Sequence, residues 1–194
     1  MNVYILLDRS GSMAGMWEEA LGSINAYVKA LDAKTNIFMA VFDNDYKVIR
    51  NTTVAKWKDI TNEDAMPRGN TRLFDSAARI MYRAFDDNAK KTVVVVMTDG
   101  EENASLNFKQ SDVKQLAKHM DDKKWELIFL GANFDKVGDV ATQNFGVAAN
   151  KFTNITRGNM HEYMGTTLAA ATTSYNTINA SIDITEDDKR KATM

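Results

Sequence analysis

The chain has 194 residues, of which 44% are apolar and 26% charged, with a formal net charge of -2 and no cysteine. That length and composition suit one globular domain with a substantial core and exclude disorder as the default. The near-neutral charge gives nucleic acid or an anionic membrane no electrostatic claim as main partner, and the lack of cysteine excludes disulfides, thiolate zinc sites and a cysteine nucleophile.

The chain opens directly on Asn2–Asp8 (NVYILLD), which reads as a buried strand. No cationic stretch with an apolar run behind it precedes this strand, so no secretory signal is visible and the cytoplasm is the expected location. A Met leading straight into a core strand reads as a natural start. In 17–31, Trp17, Leu21, Ile24, Val28 and Leu31 fall on one helical face. Asn36–Phe42 (NIFMAVF) is a strand, DND at 43–45 a turn, and 46–49 the returning arm of a hairpin. Residues 51–70 are polar and mixed and read as a long loop with one short helix at most.

Leu73, Ala77, Ile80 and Ala84 predict a helix over 73–85. Thr92–Met97 (TVVVVM) is apolar throughout and β-branched at five positions, so it is read as the central strand, with Val94 and Val96 deeply buried. A helix is expected over 111–120 with Ser111 as its cap, a strand over 125–130, a helix over 135–145 closed near Gly146, and a short strand over 151–155. Met160, Met164, Leu168, Ala171, Tyr175 and Ile178 set the last long helix. The domain is read as 1–180, and the charged residues 181–194 as a frayed tail.

Strand and helix alternate along nearly the whole chain. The fold class expected is α/β: a doubly wound, mostly parallel sheet of about six strands, with one antiparallel edge strand and helices on both faces. No apolar run approaches the roughly 20 residues of a spanning helix. Ligands of such sheets bind outside the carboxyl ends of the strands, at the switch in strand order.

The residues at those ends are therefore the informative ones. Asp8, Ser10 and Ser12 follow the first strand, Asp99 and Gly100, behind Thr98, follow the central one, and Gly69-Asn70-Thr71 precedes the helix at Leu73. Singly, Asp and Ser after a strand are usually turn and cap residues. Together they bring two carboxylates and three hydroxyls to one end of the sheet. An oxygen-only donor set with no His or Cys suits a hard cation, Mg²⁺ or Mn²⁺, with Ca²⁺ less well suited.

At this point a family resemblance becomes specific. Asp8-Arg9-Ser10-Gly11-Ser12 resembles the DxSxS motif of the von Willebrand factor A domain, and Thr71 and Asp99 match the other two parts of that family's metal-ion-dependent adhesion site, in the same order. The SGSM and TDGEEN runs are most like intracellular, prokaryotic or phage members. The resemblance implies that Ser10, Ser12 and Thr71 touch a metal through their hydroxyls, while Asp8 and Asp99 act through water and orient the serines. It also implies a binding module whose open coordination position takes an Asp or Glu from another protein, with Arg9, Asn70, Arg72 and Glu101 as the rim. Met13 is expected as a plug under the first helix, and Glu102 as a solvated loop acid.

An enzyme reading fits less well. Ser10 stands where an aspartyl-phosphate phosphatase would place its general acid, and a hydroxyl cannot do that work near neutral pH. There is no G-x-S-x-G elbow, no Walker A loop and no G-x-G-x-x-G after the first strand. The alternative that survives is metal-assisted hydrolysis of a phosphate ester.

Overall fold

The computed structural model describes residues 1–194. The strands are β1 Asn2–Asp8, β2 Asn36–Phe42, β3 Tyr46–Thr53, β4 Thr92–Thr98, β5 Glu126–Ala132 and β6 Phe152–Ile155. They form one six-stranded sheet in the order β3-β2-β1-β4-β5-β6. Every pairing is parallel except β2 with β3, the antiparallel edge. The helices are α1 Trp17–Lys29, α2 Leu73–Asp87, α3 Gln110–Asp122, α4 Val137–Asp139, α5 Met160–Glu162, α6 Ala169–Ile178 and α7 Glu186–Thr193. Wider helical turns at Val140–Asn144 and Tyr163–Leu168 extend α4 and join α5 to α6.

The two faces of the sheet carry separate cores, and strand alternation assigns residues to them. Val3, Ile5 and Leu7 of β1 pack with Val93 and Val95 of β4 under α1 and the Met160–Tyr175 helical stretch. Tyr4, Leu6, Val94 and Val96 point the other way, against α2, α3 and Phe145. Val94 and Val96 are fully buried, as a central strand covered on both faces requires. Met13 is fully buried beside Trp17 and plugs the start of α1.

This order places β1 next to β4, with β2 and β3 to one side and β5 and β6 to the other. The direction of winding reverses between β1 and β4. The crevice outside the carboxyl ends of those two strands is therefore the topological switch point. Asp8 closes β1, and Asp99 follows directly on β4.

Three expectations differ from the structure. The hairpin arm runs on to Thr53, because β3 is a half-exposed edge strand with no apolar period to mark its length. Helix α3 begins at Gln110, and its first turn is closed by Asp112, whose carboxylate accepts the Lys109 N–H at 2.8 Å; Ser111 lies inside the helix and is not its cap. The segment 181–194 is not frayed. Ile182, Ile184 and Ala192 join the core on the α1 face, and Lys151 donates to the Ile182 carbonyl at 2.7 Å. Thr185 caps α7, with its hydroxyl accepting from the Asp188 N–H and the Asp188 carboxylate accepting from the Thr185 N–H.

Candidate functional site

The site is assembled by three loops that hydrogen-bond to one another. After β1, the Ser10 N–H donates to Asp8 Oδ1 at 2.7 Å, which turns the chain sharply. A short 3₁₀ turn from Gly11 to Met16 follows and lays Ser12 beside Ser10, their hydroxyl oxygens 3.1 Å apart. Ser12 then donates to Asp99 Oδ1 at 2.8 Å, tying the β1 loop to the β4 loop. Thr98 donates to the second Asp8 oxygen at 2.6 Å.

The third loop comes from 68–71. Arg68 N–H donates to the Arg9 carbonyl at 2.7 Å, and Gly11 N–H to the Gly69 carbonyl at 3.1 Å. Gly69 adopts φ 70°, and Asn44 lies so close that any side chain at this position would collide with it. Thr71 is fixed by Asn103, whose Oδ1 accepts its N–H at 2.9 Å and whose own N–H donates to the Thr71 carbonyl at 3.1 Å. These bonds use the Thr71 backbone and leave its hydroxyl free. That hydroxyl lies against Gly100, 3.6 Å from where a Cβ there would stand.

Burial is uneven across the group. Asp8, Ser10 and Thr71 are buried, Asp99 is half-buried and Ser12 is exposed, so the cluster opens to solvent on one side only. Burial pushes the Asp8 carboxyl up to about 6, against the opposing hydrogen bonds from Thr98 and Ser10. Burial also raises Asp99 above its ordinary value. The neighbouring arginine does not relieve this strain. Arg9 is 5% exposed and points to Asp43, with Nε 3.3 Å from Oδ2.

Arg9 is thus not a rim residue. It is an internal brace, since a guanidinium buried next to Asp43 cannot reach an incoming partner. Arg68 completes that brace from the outside, 2.7 Å from the same carboxylate. Arg72 is half-buried with its Nε unpaired. Asn70 and Glu101 are exposed; the Asn70 N–H is held by Asn44, and Glu101 pairs with Lys136 at 2.8 Å.

Glu102 is not a solvated acid either. Its carboxylate accepts from the Phe74, Ala104 and Ser105 N–H groups and the Ser105 hydroxyl, at 2.6–2.8 Å. Asp75 of α2 likewise gathers the Leu106, Asn107 and Phe108 N–H groups, each at 2.9 Å. These two acids shape the loop from Asp99 to Lys109. Sequence reading named Thr98 at the strand end without giving it a role, took Glu102 for a solvated acid, and missed Asn103 and Asp75. Thr98 alone carried a signal, because it stands at the strand end between the apolar run and Asp99. His119 is exposed and edges onto Phe85, and His161 is exposed on α5; neither approaches the cluster's hydrogen bonds.

No group of three or more His, Cys, Asp and Glu side chains is placed to hold a metal. Any cation at this site must rely on hydroxyl oxygens beside the Asp8–Asp99 pair. The donor set is all oxygen, anionic when ionised, and contains no lysine or arginine, so its chemistry fits a hard divalent cation.

Comparisons with known proteins agree with this architecture. The von Willebrand factor domain of the type V pili tip protein Mfa5 from Porphyromonas gingivalis superposes with TM-score 0.67 at 12% identity, covering 95% of this chain and 97% of that one. The manganese-loaded TRAP protein of Plasmodium vivax gives TM-score 0.61 at 15% identity, over 84% of this chain and 70% of that one. The von Willebrand factor type A protein from Catenulispora acidiphila gives 0.61 at 14% identity over 89% of this chain, which spans only 42% of the length of that relative. Identities this low show the fold alone. Comparison with curated protein sequences gives no match. The family model of the von Willebrand factor type A domain matches residues 2–175. Domains of this kind serve mostly as non-catalytic, protein-binding modules, and this chain belongs to the von Willebrand factor type A domain family.

Proposed function

We propose that the domain is a divalent-metal-dependent protein-binding module. In this reading Ser10, Ser12 and Thr71 hold Mg²⁺ or Mn²⁺ through their hydroxyls, with Asp8 and Asp99 acting through water and orienting the serines. The observation that carries it is the convergence of Asp8, Ser10, Ser12, Thr71 and Asp99 at the β1–β4 switch point, with Ser12 bonded to Asp99 and Thr98 to Asp8. A manganese-loaded structural relative of the same fold is consistent with it.

The metal would supply a charge that neutral hydroxyls leave largely uncompensated, and an Asp or Glu of the partner supplies the missing anion. Desolvated, charge-assisted contacts of this kind are among the stronger polar interactions. The surrounding rim is formed by Asn70, Glu101 and the outer edge of Arg72. Met66, which is 64% exposed, offers an apolar contact on the loop that carries Thr71.

The test begins with chelated protein titrated with Mg²⁺ or Mn²⁺. Its melting temperature rises with metal, and Ser10→Ala or Thr71→Ala reduces the rise while leaving the fold intact. A flat response up to millimolar metal defeats the proposal. Capture of a partner then collapses with chelator, with Thr71→Ala and with one acid-to-amide change on the partner. Affinity that survives both chelation and Thr71→Ala moves recognition to another face.

A further inference from the structure

The turn between β2 and β3, Asp43-Asn44-Asp45, has the composition of a plain hairpin turn. Only part of its bonding serves the hairpin. Asp43 N–H donates to the Asp45 carbonyl at 3.0 Å, and Asp45 N–H donates to Asp43 Oδ1 at 2.7 Å. Three other acceptors reach across to the loop that carries Thr71. Asn44 Oδ1 accepts the Asn70 N–H at 2.8 Å, the Asp43 carbonyl accepts the Arg72 N–H at 3.2 Å, and Asp43 Oδ2 accepts from Arg68 Nε at 2.7 Å.

Thr71 stands between two of these contacts. Peptide 69–70 is held by Asn44 through its N–H and by the Gly11 N–H through its carbonyl. Peptide 70–71 is held by Asn103 Oδ1, and peptide 71–72 by the Asn103 N–H and the Asp43 carbonyl. Successive planar peptides pinned in this way restrain the backbone dihedrals of Asn70 and Thr71. Threonine is branched at Cβ, so a restrained backbone leaves its hydroxyl few directions. With no hydrogen bond of its own, that hydroxyl is aimed by the backbone alone.

On the metal-binding reading above, on which this inference rests, we propose that Asn44 is a positioning residue for the metal. It holds the Asn70 N–H so that the Thr71 hydroxyl faces the cation, and a hairpin that supplies no metal ligand thereby tunes the affinity of the site. Two features separate Asn44 from Asp43. Asp43 is buried and also pairs with Arg9, so its loss would disturb packing broadly. Asn44 is half-buried, and its side chain makes one hydrogen bond, to the Thr71 loop. Gly69 suits the same arrangement, because a Cβ there would stand 2.3 Å from Asn44 Oδ1.

The test titrates Mn²⁺ by calorimetry into the metal-free parent, Asn44→Ala and Asn44→Asp. Asn44→Ala keeps the melting temperature of the metal-free parent, since Asn70 is exposed and water takes its freed N–H. It weakens Mn²⁺ binding by about three- to tenfold, the scale of one lost hydrogen bond. Asn44→Asp retains an acceptor oxygen and, at raised salt that screens its charge, binds as the parent does. Amide exchange without metal gives a second readout. Asn70 and Thr71 exchange faster in Asn44→Ala, while Ser10, held by Asp8, does not change. Faster exchange at Asn70 alone makes the contact purely local and overturns the proposal. So does an Asn44→Ala affinity equal to that of a parent that binds, or an Asn44→Asp affinity as low as that of Asn44→Ala. A parent that takes up no Mn²⁺ defeats the metal reading itself, and the role of Asn44 falls with it.

Discussion

The two ends of one sheet have opposite chemistry. At the carboxyl ends, Asp8 and Asp99 sit among hydroxyls with no cation in the group, and the nearest guanidinium is turned toward Asp43. At the amino ends, lysines crowd a partly apolar cavity. A parallel sheet makes such sorting possible because all its strand starts lie at one end and all its strand finishes at the other. Loops following β1 and β4 then share one site, and the residues preceding β4, β5 and β6 share another. The ends also differ in how they are held. The acid end is fixed by short hydrogen bonds among loops, including those gathered by Glu102 and Asp75. The lysine end leans on helix α3 and on the segment after α6.

Strand β1, a central strand that ends in Asp8, gives the largest expected effect. Ile5 is fully buried at the middle of β1. Ile5→Ala should cost about 2–5 kcal/mol of global stability, as other large-to-small core changes do. Urea unfolding measures it as a lower midpoint at unchanged slope. A loss under about 1 kcal/mol would mean that β1 is not the support that its burial implies.

The next effect tests the acid end by pH. Burial holds the Asp8 carboxyl at about 6, above its value in the unfolded chain. The folded protein therefore keeps a proton there that the unfolded chain releases. In chelated protein this contribution to stability is full below the unfolded carboxylate value of about 4 and is lost as pH rises through about 6, a change on the order of 3 kcal/mol. Asp99, raised by the same cause, adds in the same direction. Melting temperature measured from pH 4 to 7 should fall, and Asp8→Asn should flatten the fall. Added Mg²⁺ should restore stability at neutral pH and leave it unchanged at pH 4. A slope of the opposite sign, or one that Asp8→Asn leaves intact, removes Asp8 as its source.

Metal removal comes third. A ligand present at a hundredfold excess over its dissociation constant stabilises by about 2.7 kcal/mol. Thr71→Ala should lose most of that increment and little in chelator, because its side chain makes no hydrogen bond that the metal-free fold depends on. Equal destabilisation with and without metal would assign Thr71 a purely structural task.

The acid end was the readable part of the sequence. Asp8, Ser10, Ser12, Thr71 and Asp99 each stand beside a strong local marker, an apolar strand or a glycine turn, and the structure brings all five together. The strands and main helices were readable for the same reason, since apolar periodicity reports burial directly. What periodicity cannot report is direction. Arg9 looked like a rim residue because it sits between Asp8 and Ser10, yet its orientation is set by Asp43, 34 positions away. Glu102 and Asp75 act through backbone N–H groups of a loop that has no pattern of its own. The lysine cavity was invisible because its residues come from four separate stretches, and only the sheet brings them to one place.

The C-terminal segment was misread for a different reason. Its charge drew attention away from Ile182, Ile184 and Ala192, and from the T-x-x-D spacing of Thr185 and Asp188, which is a capping box in plain sequence. The smallest expected effect follows from this. Thr185→Ala removes the hydroxyl that accepts the Asp188 N–H at 3.1 Å and the donor to its carboxylate at 2.7 Å. Loss of such a cap costs about 1 kcal/mol. The segment leading into α7 borders the lysine cavity through Ser181 and holds Lys151 through Asp183. The loss should therefore appear as faster amide exchange in 181–194 and around Lys151, with exchange in the Asp8–Met13 loop unchanged. If exchange rises equally at both ends, α7 supports the whole sheet and the two ends are not separately held. If it rises at neither, the buried Ile182 and Ile184 side chains anchor the segment without help from its cap.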